Sequence, residues 1–139
     1  MSENREVKPC HEISEDELGA MVDAYLACAL WSSCDEEGRP FDDVFDMSQA
    51  PDATRADAMI LCEAFVKTHG LPSYKGTPHR EFAFQQCGHD LWLTRNRHGA
   101  GFWGRDLPGD EGERFSDAAR KLGEVYVFAT PDGCEFGIE

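Results

Sequence analysis

The stretch from Ser14 to Leu30 constrains this chain more than any other. Ser14-Glu15-Asp16-Glu17 has the form of a capping box, with Ser14 as N-cap and Glu17 three residues on. The acids of that first turn also suit the positive end of a helix dipole. Leu18, Met21, Val22, Tyr25, Leu26, Ala29 and Leu30 then recur at helical spacing. A helix with so broad an apolar face must bury it. The spacing therefore predicts a first helix that organises a core and stops near Trp31-Ser32-Ser33.

Cys34 to Asp46 reads as loop, with Gly38 and Pro40 as breakers and six acids between positions 35 and 46. A second helix is expected from near Ser48 or Pro51 to His69. Pro51 suits a first-turn position and Gly70 the residue past the end. Ala56, Met59, Ile60, Phe65 and Val66 are its expected apolar contacts. Leu71 to Pro78 is a linker rich in breakers. Beyond it the composition suggests sheet. Phe82-Ala83-Phe84 reads as a short strand or extended arm. Leu91–Arg95 reads as a strand, Asn96–Gly99 as a turn with Asn96 left-handed, and Ala100–Trp103 as the returning strand. A helix through Phe115, Ala119 and Leu122 should stop at Gly123. Val125–Ala129 and Cys134–Ile138 should form a hairpin around Pro131-Asp132-Gly133. The expected fold is α+β: about three helices packed on a small antiparallel sheet of β-hairpins. One domain over 1–139 is expected, with 1–13 as a flexible N-terminal arm.

Charge narrows the function classes. The 139 residues hold 27 Asp and Glu against 13 Lys and Arg, for a net charge of −14. Such a surface does not neutralise nucleic-acid phosphates or seek anionic membranes, so neither is expected as a direct partner. The polar N-terminus reads as no secretory signal, and no apolar run has the length of a membrane span. Six cysteines lack C-x-x-C spacing, which in this context points to reduced thiols and a cytoplasmic setting. Cys28 and Cys62 read as small hydrophobes within helices. The charge is uneven: residues 67–105 hold six bases against two acids, between two acidic flanks. That segment is either a distinct partner surface or the internal counterweight to acids elsewhere.

The densest polar cluster runs from Cys87 to Arg105. On a hairpin, His89 and Asp90 would sit at one strand end, and Arg95, Asn96, Arg97 and His98 around the turn at the other. Trp103 would follow on the return strand, with Arg105 placed to stack on it. His89, Asp90, Arg95, Asn96 and His98 are the candidate ligand or catalytic set, provided they converge on one pocket. Cys87, His89 and His98, with His79 or Cys134, match no common zinc spacing, so no metal or cofactor is expected. There is no G-x-S-x-G elbow and no phosphate-cradling glycine loop. The pattern favours a binder over an enzyme. The acids Glu12, Glu15, Asp16, Glu17 and Asp23, with Asp35, Glu36, Glu37, Asp42, Asp43 and Asp46, are the candidate surface for a partner with a basic face.

Two stretches resemble a family of small acidic, functionally uncharacterised proteins of bacteriophages and mobile elements. One is Tyr25-Leu26-x-Cys28-Ala29-Leu30-Trp31-Ser32-Ser33 with the acidic loop through Asp43. The other is Gly88-His89-Asp90-x-Trp92-Leu93-Thr94-Arg95-Asn96-x-His98-Gly99-x-Gly101-Phe102-Trp103, followed by the short helix and closing hairpin. Members commonly carry Asp after the last Trp, where this chain has Gly104. The resemblance implies a setting rather than a mechanism. By analogy, small acidic proteins of such genomes often counter host defence, blocking restriction or CRISPR complexes. The expected function is thus a non-enzymatic acidic protein that inhibits a nucleic-acid-handling defence complex, through a face that mimics DNA.

Overall fold

A computed structural model describes residues 13–76, 79–99 and 101–139. Most of the expected N-terminal arm, with Cys10 and Glu12, lies outside them. Among the described residues there are four α-helices and one two-stranded antiparallel sheet. The chain is thus mostly helical, with a small hairpin near its C-terminus.

Helix α1 (Glu15–Ser32) forms as its cap predicts. Ser14 Oγ accepts from the Glu17 N–H at 3.1 Å, and Glu17 Oε1 accepts from the Ser14 N–H at 3.1 Å. Its predicted stripe is buried, together with Cys28. Helix α2 (Asp52–His69) follows Pro51, which is the N-cap rather than a first-turn residue, and ends at Gly70 with φ 83°. Its buried stripe is Ala58, Cys62, Phe65 and Val66; Ala56, Met59 and Ile60 face outward.

The largest correction concerns the middle of the chain. Phe82–Phe84 and Leu91–Arg95 are not strands but parts of one helix, α3 (Arg80–Arg95). Ala83, Phe84, Cys87, Gly88, Leu91 and Trp92 are its buried face, spaced for a helix. Aromatic and β-branched residues at each end imitate strand composition, but burial against α1 decides the outcome. Gly88 permits that packing, because a Cβ there would overlap the carbonyl oxygen of Met21 on α1. Trp92 closes the upper end: its indole N–H donates to Ser32 Oγ at 2.8 Å, and its ring meets Tyr25 edge-on at 5.2 Å.

The predicted return strand is instead a 3-10 segment, Gly101–Arg105; Ala100 lies outside the described residues. Arg97, with φ 59°, takes the left-handed position expected of Asn96. Helix α4 (Glu111–Lys121) buries Phe115, Ser116 and Ala119, and the chain turns at Gly123 with φ 84°. Strands β1 (Val127–Ala129) and β2 (Phe136–Ile138) pair as Val127↔Ile138, Phe128↔Gly137 and Ala129↔Phe136. A small second core joins this hairpin to the acidic loop: Phe41 and Phe45 stack at 6.1 Å, and Phe45 meets Phe136 at 5.8 Å. Asp42 and Asp43 lie between those anchors and point to solvent.

Candidate functional site

The polar cluster of residues 87–105 does not assemble as a hairpin would place it. Asp90, on α3, is fully buried. Arg105 brackets it, with Nε 3.1 Å from both carboxylate oxygens and Nη2 3.0 Å from Oδ1. Tyr74 donates its hydroxyl to Oδ2 at 2.9 Å, and Gln86 its amide to Oδ1 at 3.2 Å. These donors occupy the carboxylate, leaving no lone pair aimed at a substrate. Hydrogen bonding to Asp90 raises the Arg105 pKa further, so the guanidinium keeps its charge. Burial, then the charges around it, pushes the Tyr74 hydroxyl well above its ordinary range. Arg105 has thus turned to Asp90 rather than stacking on Trp103.

Arg95 and Asn96, read from sequence as ligand residues, hold the fold. Arg95 is buried and finishes α4: its Nε donates to Gly123 O at 2.7 Å and Nη2 to Leu122 O at 2.9 Å. Its Nη1 donates to the Tyr25 hydroxyl at 3.0 Å. Asn96 spans the end of α3, donating to Trp92 O at 3.0 Å and accepting from the Val125 N–H at 2.7 Å. Arg97 is exposed and pairs with Glu124 at 3.4 Å. His98 is exposed, as is Trp103 on the 3-10 segment. The five groups expected to converge are therefore dispersed between helix interior, helix end and surface turn.

Two of them line concavities: Arg95 borders a small one of about 200 Å³ beside Tyr25 and Val125, and His89 borders a larger one. Ala24, Ala27, Cys28 and Trp31 of α1 face Phe82, Gln85, Gln86 and His89 of α3 across a groove of about 800 Å³, with Gly76 and Arg105 alongside. Each set follows i, i+3, i+4, i+7, the signature of one helix face. Trp31 is 61% exposed and Phe82 49%. Trp31 stands over His89, ring centroids 6.2 Å apart. Burial, reinforced by the Asp90 charge, pushes the Cys28 thiol up to about 12. A thiol held protonated is no nucleophile at neutral pH. Phe82, Gln85 and Gln86 are not among the site residues expected from the sequence, because the helix that aligns them reads there as strand and loop. The i, i+4 spacing of Gln86 and Asp90 was the available signal.

The acidic candidates fall into two groups. On α1, Glu15 and Asp16 are exposed in the first turn, while Glu17 pairs with Arg80 and Asp23 with Arg55 at 2.8 Å. The loop after its last turn carries Asp35, Glu36, Glu37, Asp42, Asp43 and Asp46, and the 18 residues of α1 hold its first-turn acids about 27 Å from that loop. Within the loop, Asp35 is structural: it accepts from the backbone N–H groups of Glu37 and Arg39, each at 2.9 Å, and from Arg39 Nε at 2.8 Å. Those bonds, the Arg39 N–H foremost, hold its carboxyl below the usual range. Asp46 caps a 3-10 turn, accepting from the Ser48 N–H at 2.9 Å. Glu37 pairs with Arg39 at 2.7 Å. Glu36, Asp42 and Asp43 are exposed, and their side chains have no hydrogen-bond or ion-pair partner among the described residues.

The basic central segment resolves in favour of the internal counterweight. Lys67 pairs with Glu63 at 3.4 Å, Lys75 with Asp106 at 2.9 Å and Arg80 with Glu17 at 3.1 Å. Arg97 and Arg105 are paired as above, and Arg95 serves backbone carbonyls. All six bases are engaged within the fold. Among the described residues, no group of three or more His, Cys, Asp or Glu is placed to hold a metal ion, and no helix is long and apolar enough to cross a membrane. No protein-family model, curated protein or solved structure matches the chain at a significant level.

Proposed function

We propose that this chain is a non-enzymatic, cytoplasmic accessory protein that binds a basic, nucleic-acid-handling partner through its acidic loop and inhibits it, as a phage or mobile-element protein opposing host defence would. One observation carries the reading: the bases of the central segment are spent inside the fold, while Glu36, Asp42 and Asp43 have no side-chain partner among the described residues. These three carboxylates are therefore available to a partner, on a chain whose net charge is −14. Opposite fields across an interface speed encounter and select the partner, and salt weakens both effects. The anchors Phe41 and Phe45 hold the loop in place, so little ordering is needed on binding.

The test is affinity capture from host lysate at low and high salt. Wild type is compared with a Glu36→Lys, Asp42→Lys, Asp43→Lys variant, and duplex DNA serves as competitor. The reading expects a basic nucleic-acid-binding protein on the wild type at low salt, absent from the variant and displaced by DNA. Equal retention by both proteins would overturn it.

The groove between α1 and α3 favours a second reading, a small-ligand protein. Exposed Trp31 and Phe82 with His89 and Arg105 supply apolar walls and polar ends. A thermal-shift screen of planar, anionic metabolites against wild type and Trp31→Ala tests it; stabilisation confined to the wild type is the expected result.

A further inference from the structure

The acidic loop faces a wall made of backbone. Tyr126 and Glu139 exchange two hydrogen bonds, at 2.7 and 2.9 Å, and the Thr130 N–H donates to Glu135 O at 2.9 Å. In an antiparallel ladder such pairs alternate with pairs that point their backbone groups away. Phe128 and Gly137 therefore bond to each other, while Val127 and Ala129 turn their N–H and C=O groups to the outer edge of β1. No other hydrogen bond among the described residues takes up these four groups.

That edge forms one side of a groove of about 410 Å³, and the loop from Cys34 to Phe41 forms the other. Val127, Phe128 and Ala129 all line it. Consecutive strand side chains alternate between faces, so three in a row mark the strand's edge as the wall. Exposed edges are ordinarily protected by Lys, Pro, a bulge or a covering element. Here the edge residues are Val, Phe and Ala.

We propose that this groove takes an extended, Lys- or Arg-bearing segment of the partner protein, added as a third strand on β1. The inference rests on the proposed function and names its mode of binding. Charge selects the occupant. The facing wall carries Asp35, Glu36 and Glu37 against Arg39 alone, and Arg39 is committed to Asp35 and Glu37. Glu36 is left to meet a cation. Phe128, 38% exposed, offers an apolar surface to the methylene stem of a Lys or Arg. Main-chain bonds to the edge supply affinity, and side-chain contacts supply selection, as in other strand additions.

The test uses an octapeptide of alternating Lys and Val, its Glu–Val counterpart, and the Lys–Val peptide with alternate amides N-methylated. Binding is followed by amide shifts in ¹⁵N-labelled protein. The Lys–Val peptide should bind and move the Val127 and Ala129 amides. Glu–Val should not bind, and N-methylation should weaken binding about tenfold, the scale of a lost pair of hydrogen bonds. Ala129→Pro should do the same, because its N–H lies outside the β1–β2 ladder. The N-methylated peptide makes this point without altering the protein. Full binding by the methylated peptide, or amide shifts elsewhere, would overturn the inference. If Glu36→Lys with Glu37→Lys then abolishes binding, attraction to the acidic loop survives and only the strand addition fails. If neither methylation nor charge reversal matters, both readings fall.

Discussion

Asp90 and Glu36 are both carboxylates of an acidic chain, and the structure treats them in opposite ways. Asp90 lies in the core between α3 and the 3-10 segment, enclosed by Arg105, Tyr74 and Gln86. Glu36 stands on a loop, exposed, with no side-chain partner among the described residues. The first region resembles an active site in composition, since it gathers Asp, Arg, Tyr and His near a groove. Its donors are used up on one another, so its polarity is architecture. The second region looks like an ordinary solvated loop, yet its charge is the part left over for another molecule. In this chain, chemical availability follows from which groups remain unpaired, not from where polar residues are dense.

The sharpest way to break that contrast is to remove Arg105. Arg105→Ala leaves a buried carboxylate with two neutral donors. Breaking one side of a buried pair costs about 3–5 kcal/mol, and the partial solvation of Arg105 places this case near the lower end. Urea unfolding measures it. A loss under about 1 kcal/mol would mean that the Asp90 centre is not structural, which would reopen it as a working site.

A second pair of substitutions tests the frame that places the centre. Gly88→Ala drives a methyl into the Met21 carbonyl of α1, and overpacking of that kind costs about 1–3 kcal/mol. Gly19→Ala, on α1 where a Cβ meets nothing within 4 Å, should instead stabilise by about 0.5–1 kcal/mol. Thermal unfolding of the two variants separates close packing from helix propensity. Equal effects would show that α1 and α3 are not held by their approach at Gly88.

Local signals in the sequence were reliable where the chain decides its own structure. The capping box at Ser14, the stops at Gly70 and Gly123, and the turn at Pro131-Asp132-Gly133 each depend on a few adjacent residues, and each appears as expected. Helix α3 was illegible because its buried stripe contains Gly88 and Asp90, which composition counts against a core helix. Gly88 is there for contact with Met21, and Asp90 for a partner fifteen residues on. The candidate site was illegible for the same reason. Nothing local says that Arg95 will cap α4, or that Arg80 will pair with Glu17. Nor does anything near Glu36 place it beside the edge of β1. That neighbour is fixed by Phe45 on Phe136, from distant parts of the chain. The acids of the loop were legible as a charge run, and their availability was not.

The smallest expected effect completes the comparison. Glu36→Lys, Asp42→Lys and Asp43→Lys together should leave stability within about 0.5 kcal/mol of wild type, because no described hydrogen bond or ion pair is lost with them. Any change should be toward greater stability at low salt, since a net charge of −14 repels itself in the compact state. Asp35 is left intact in this variant, because it ties the loop through Glu37 and Arg39. Urea unfolding at two salt concentrations gives the answer. A large loss would mean that these acids hold the loop in a way the pairing does not reveal, and the two regions would then differ only in burial. A neutral result leaves the loop carboxylates with no part in folding stability, so that any loss of partner capture by the same variant must come from the interface itself.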